Sequence, residues 1–140
     1  MPPGTRGPSA PCSGSVLHVS RIFAGRRDQV GPARRFVRKA LATCPSANDA
    51  VLLTSELAAN AVLHTASGEG GSFSIAVRHT GALVRVEVTD CGSATAPTVG
   101  PVGSLGLSAR GLVLVSLVAA RWDHEGRPSA RLVWFELDCL

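Results

Sequence analysis

Residues 46–64 read SANDAVLLTSELAANAVLH, and this segment constrains the fold more than any other. Ser46 with Asp49 three residues later is a capping-box-like helix start, with Asp in place of the usual Glu. The helix that follows carries Val51, Leu52, Leu53, Leu57, Ala58, Ala61, Val62 and Leu63. A helix apolar on nearly every side is buried on most of its surface, so the rest of the chain must supply layers to cover it. Within this run stand Glu56 and Asn60, whose spacing places them on one face, about 5–6 Å apart at Cβ. Polar groups in apolar surroundings are costly unless partnered. One account is a solvent-facing stripe. The other is a metal–phosphate site, where a carboxamide oxygen suits a hard cation and a carboxylate can take a proton.

The covering layer is readable from period-two patterns. Residues 72–78 (SFSIAVR) and 83–89 (LVRVEVT) alternate on either side of a turn at Gly81, which predicts a β-hairpin. Residues 16–23 (VLHVSRIF) predict a first strand, broken by Gly25, and residues 131–137 (RLVWFEL) a last one. Residues 122–125 predict a short strand, after which Gly126 and Pro128 turn the chain. Two further helices are expected. In residues 29–42 the apolar positions Val30, Ala33, Phe36, Val37, Ala40 and Leu41 recur at helical spacing, with Arg34, Arg35, Arg38 and Lys39 opposite. Residues 111–120 (GLVLVSLVAA) predict a helix packed on most faces. Helices and hairpin-connected strands so intermixed indicate an α+β two-layer sandwich.

A chain of 140 residues with 45% hydrophobic and 17% charged residues is one globular domain, expected over residues 15–140. Residues 1–14, rich in Pro, Gly and Ser, read as a disordered tail and lack the apolar core of a signal peptide. The net charge of +4 raises the question of nucleic acid, but aromatic residues are 4% and Tyr is absent, against a base-stacking surface. The basic cluster reads as a solvated helix face, and no direct nucleic-acid binding is expected. Cys12, Cys44, Cys91 and Cys139 form no C-x-x-C pair, so reduced thiols and a cytoplasmic location are expected. The longest apolar run, residues 112–120, is too short to cross a membrane. Trp122 and Trp134 are expected in the core or in part on a dimer surface. Cys91 reads as a small buried hydrophobe, and His64 as a helix-end or lid contact.

The order Glu56-Leu57-x-x-Asn60-Ala61, then Asp90-x-Gly92, then a Gly-rich stretch leading into Arg110-Gly111-Leu112, resembles the GHKL (histidine-kinase-like) ATPases. Within them the chain is similar to the single-domain anti-sigma factor serine/threonine kinases and their actinobacterial relatives. The likeness runs over most of residues 16–137. It implies the Bergerat ATP-binding fold, with helices on one face of a mixed, mostly antiparallel sheet. It further implies that Glu56 is the general base and that Asn60 ligates Mg²⁺ on the phosphates of ATP. Asp90 would accept the adenine amino group, and Gly92 would let the backbone approach the base. Residues 93–110 would form the ATP lid, with glycines at Gly100, Gly103 and Gly106. Arg110 would lie near phosphate, and Gly111 and Leu112 would open a helix whose N-terminus meets it.

Two readings of function follow from the resemblance. In one, the protein is a kinase that phosphorylates a small anti-sigma-antagonist protein and otherwise holds a sigma factor. In the other, it is a nucleotide-sensing partner-switch module without transfer. The resemblance also implies a homodimer as the expected oligomeric state. Two positions depart from the family pattern: Ala109 stands where glycine is usual, and Leu132 where threonine is common near the phosphates. The lid reading carries the expectation that residues 93–109 become ordered by nucleotide.

Overall fold

The computed structural model describes residues 16–64, 68–91, 109–127 and 130–139. Among the described residues five strands make one sheet: β1 (Leu17–Ala24), β2 (Ser72–His79), β3 (Leu83–Asp90), β4 (Arg121–Arg127) and β5 (Ala130–Asp138). Their order across the sheet is β1-β2-β3-β5-β4. Among the described residues there are three α-helices: α1 (Val30–Ala40), entered through a 3-10 turn at Arg27–Gln29, α2 (Ala47–His64) and α3 (Ala109–Val118). The α+β sandwich expected from the sequence is present, with the hairpin at β2 and β3 and the long apolar helix at α2.

The sheet is antiparallel at every described pairing, which corrects the expectation of a mixed sheet. The reason is in the connections. Two helices, α1 and α2, separate β1 from β2, so the chain returns antiparallel to its start. Between β3 and β4 the described residues hold one helix, α3, and both strands pair antiparallel with β5, so those two strands run the same way. β5 then inserts between them and pairs with both. No parallel neighbours remain among the described strands.

Alternation decides the two faces. Phe73, Ile75 and Val77 of β2, Val84, Val86 and Val88 of β3, and Val133, Phe135 and Leu137 of β5 are all buried. They meet Ala33 and Val37 of α1, Ala50, Leu53, Leu57 and Ala61 of α2, and Val115 of α3 in one core cluster. Phe23 of β1 stacks on Phe73 at 5.4 Å and meets Phe36 edge-on at 5.9 Å, fixing α1 over β1 and β2. Each such side chain contributes about 1.5–3 kcal/mol by leaving water. Arg34, Arg35, Arg38 and Lys39 are exposed, as a solvated helix face requires.

The outer face is polar and bridged. Arg85 donates to Glu87 (2.9 Å) and Glu136 (3.2 Å), and Arg121 donates to Glu136 (2.6 Å). The Arg85 guanidinium also lies 4.0 Å from the centre of the Trp134 ring. Trp134 therefore belongs to this outer face, not the core; alternation with Val133 and Phe135 requires it. Trp122 does pack against the core.

Cys44 and Cys139 form a disulfide, with Cα atoms 5.4 Å apart. The expectation of reduced thiols rested on local spacing, which cannot detect partners 95 residues apart. Cys91 is half-buried, its thiol donating to the Ser72 carbonyl at 3.2 Å.

Candidate nucleotide site

The path of the chain sorts the candidate residues to one end of the sheet. β2 begins beside the end of β1, where Ser72 pairs with Ala24. α2 starts at the opposite end, where the Ser46 hydroxyl donates to the Asp138 carbonyl at 2.5 Å. It therefore runs toward the end of the sheet at which β3 finishes. Along it come Glu56, half-buried, and one turn further Asn60, which is buried to 5% exposure and with Thr54 makes up the buried polar residues among the described ones. Asp90 is the last residue of β3 at that same end.

α3 runs the other way. Its C-terminal end lies where the Ala120 N–H donates to the Glu136 carbonyl, so its N-terminus lies at the Asp90 end. That helix starts at Ala109, two residues before the expected start, which makes Gly111 a buried third residue and not the opening one. Arg110 and Leu112 flank it in the first turn. α2 packs against both β3 and α3. The fold thus brings Glu56, Asn60, Asp90 and the first turn of α3 to one end of the domain. Of the expected lid, residues 109 and 110 belong to α3; Gly92, Gly100, Gly103, Gly106 and the rest of residues 92–108 lie outside the described residues, as does Cys12, and the side chain of His64 is likewise outside them.

Sequence reasoning missed Arg131. Its register partner is Asp90, and its Nε lies 3.7 Å from the Asp90 carboxylate. Both side chains are close to seven-eighths buried (12% and 14% exposed). Arg131 Nε and Nη2 are buried without a hydrogen-bond partner among the described residues. A buried donor left unsatisfied is costly, so it marks a place where a polar acceptor would be welcome. The signal was present in RLVWFEL: counting back in twos from Val133 places Arg131 on the inner face. The same count moves Leu132, paired with Thr89 and Glu125, to the outer face with Trp134 and Glu136. Leu132 therefore faces away from the helices, and the contact near the phosphates expected to be lost there is not on its side of the sheet.

The arrangement offers one end of a sheet with an inner-face carboxylate, a neighbouring guanidinium, a carboxamide and a second carboxylate on an adjoining helix, and a helix N-terminus. A positive dipole end suits anionic oxygens.

Comparison with known proteins supplies a family and a fold. The family model for the histidine kinase-like ATPase domain matches residues 23–134. Among solved structures, the RsbU and RsbW domains of Rv1364c from Mycobacterium tuberculosis are similar in fold, with a TM-score of 0.65 at 19% identity. That match covers 87% of this chain and 32% of the other, so this chain spans about a third of the length of the protein it resembles. No curated protein matches.

Proposed function

Because this chain belongs to the histidine kinase-like ATPase domain family, we propose that it is an ATP-binding regulator that transfers the γ-phosphate of ATP to a serine or threonine of a small partner protein. The observation that carries the reading is the family match over residues 23–134 together with the gathering of Asn60, Glu56, Asp90 and the start of α3 at one end of the sheet. The similarity of fold to a protein whose title names RsbU and RsbW domains supports the anti-sigma class of regulator. In that class the phosphorylated partner is an antagonist protein and the alternative partner a sigma factor.

Each residue has a distinct task in this reading. Asp90 accepts the adenine amino group, a donor that guanine replaces with a carbonyl. Arg131, beside it with buried donor groups, orients the Asp90 carboxylate and offers N–H groups to ring nitrogens. The first turn of α3, Arg110-Gly111-Leu112, faces the phosphates. Asn60 fits a hard cation: its oxygen is a suitable ligand, and its burial in an apolar helix gives it a defined position. Mg²⁺ there would neutralise phosphate charge. Glu56, one turn earlier and half-buried, takes the proton from the attacking hydroxyl as the oxygen–phosphorus bond forms. The proton passes to the Glu56 carboxylate and ADP leaves.

The second reading, binding without transfer, is favoured by Ala109, which places a Cβ in the first turn of α3 where the family pattern has glycine. Incubation with γ-labelled ATP and a candidate antagonist separates the two. Label on the antagonist, lost in Glu56→Gln, supports transfer. Saturable ATP binding with no label on any antagonist that binds supports the sensing module.

A further inference from the structure

At the end of the sheet opposite the nucleotide site, three metal-binding side chains converge from three separate segments. Cys44 lies in the turn between α1 and α2, His79 ends β2, and Cys139 follows β5. Their sulfur and ring nitrogen atoms all lie within 4.8 Å of one another. Each segment is held by its own hydrogen bonds. The Cys139 N–H donates to the Ala82 carbonyl at 2.9 Å, and the Thr80 N–H to the Leu83 carbonyl at 2.9 Å. The Cys44 N–H donates to the Leu41 carbonyl at 3.0 Å. His79 pairs with both Leu17 and Val84, on the inner face of the sheet. The cluster is therefore fixed by the fold and does not depend on the disulfide alone.

We propose that, once a dithiol has reduced the Cys44–Cys139 disulfide, Cys44, Cys139 and His79 bind one zinc ion. Reduction delivers two electrons and two protons to the sulfur pair and leaves the reductant as its own disulfide. Zinc binding then releases the two thiol protons and forms two zinc–sulfur bonds and one zinc–nitrogen bond. The ligand set selects the metal: two thiolates and an imidazole suit zinc, whereas magnesium and calcium require oxygen. In a tetrahedral site with zinc–sulfur bonds of about 2.3 Å and zinc–nitrogen bonds of about 2.0 Å, ligand atoms stand roughly 3.5–3.8 Å apart. A cluster already within 4.8 Å reaches that spacing by side-chain rotation, and Cα atoms 5.4 Å apart do not have to move far.

The surroundings fit as well. The two cysteines are buried, at 6% and 7% exposure, while His79 is half-buried, so in the proposed site the ion would enter from the His79 side and a water would be its fourth ligand. The Ser46 N–H donates to the Cys44 sulfur at 3.4 Å, an outer contact of the kind that steadies a thiolate ligand. The Ser46 hydroxyl meanwhile holds the Asp138 carbonyl, tying the Cys44 turn to the chain just before Cys139. This site is independent of the nucleotide reading and survives its failure.

The test titrates the reduced, desalted protein anaerobically with Co²⁺, then displaces it with Zn²⁺. One equivalent of cobalt should give thiolate charge-transfer and tetrahedral ligand-field absorption, both lost on adding one equivalent of zinc. Cys44→Ser and Cys139→Ser should each lose the charge-transfer band of a two-thiolate site, and His79→Ala should lose at least about tenfold in affinity. All proteins are compared reduced, so loss of the disulfide is common to them. If reduction unfolds the chain, zinc should restore the helical circular dichroism of the wild type and not of His79→Ala. No absorption, no restoration, or equal binding by His79→Ala overturns the proposal and leaves the pair a structural disulfide only.

Discussion

Glu56 and Asn60 sit one helical turn apart, yet burial separates their tasks. Asn60 is held in the core, where its carboxamide has little freedom, whereas Glu56 retains solvent contact and can exchange a proton. In the proposed site Asn60→Ala therefore abolishes Mg²⁺–nucleotide binding, while Glu56→Ala leaves binding intact and removes transfer. Equilibrium titration and a single-turnover transfer assay on both variants check this. Transfer that survives Glu56→Ala would displace Glu56 as the base. A structural residue gives a second prediction. Gly126 in β4 has φ +154°, and a Cβ there would stand 2.6 Å from the Arg131 Cα and 2.7 Å from the Ala130 carbonyl oxygen. Both contacts are backbone and cannot give way cheaply. Gly126→Ala is expected to cost about 1–3 kcal/mol in urea unfolding. Because β4 is at the sheet edge and Arg131 pairs with Asp90, nucleotide affinity should fall in the same variant.

At the scale of elements, the outer face of the sheet depends on one carboxylate. Glu136 is held below the ordinary range of a glutamate, first by the hydrogen bond from Arg121, with partial burial opposing and the hydrogen bond and charge of Arg85 adding to the effect. A carboxyl whose folded value is depressed contributes stability above its unfolded value, near 4.5. That contribution is lost as pH falls through the folded value. The urea midpoint should thus drop below about pH 4.5 more steeply in the wild type than in Glu136→Gln. Equal slopes would show that the β3–β5–β4 bridge carries no net stability. The other link between elements is the disulfide joining the α1–α2 turn to the end of β5. Cross-linking positions 95 residues apart, it stabilises mainly by restricting the unfolded chain. Reduction without metal should lower stability by about 2–4 kcal/mol. A smaller loss when zinc is present would agree with the metal site argued above.

Over the whole molecule, periodicity carried most of the architecture. The alternation of SFSIAVR and LVRVEVT gave the hairpin, and the all-round apolar character of residues 46–64 gave a helix covered by the sheet, α1 and α3. Three features escaped it, each because it depends on what lies beside what. Parallel or antiparallel neighbours depend on β5 inserting between β3 and β4, which no local pattern contains. The pairing of Cys44 with Cys139 depends on strand order. The placing of Arg131 beside Asp90 depends on register, although the face Arg131 occupies was countable from Val133. Of the candidate site, Glu56, Asn60, Asp90 and Gly111 were identified by motif order, and the fold carries them to a common end. Their roles rest on the proposal. In the proposed function this end of the sheet binds adenine nucleotide through Asp90 and Asn60. Calorimetric titration with Mg²⁺–ATP and Mg²⁺–GTP, repeated on Asp90→Asn and Asn60→Ala, tests it most directly. One ATP should bind per chain, GTP more weakly, and ATP binding should be lost in both variants; equal affinity for the two nucleotides, or unchanged ATP binding in Asp90→Asn, would overturn the assignment of Asp90 to adenine.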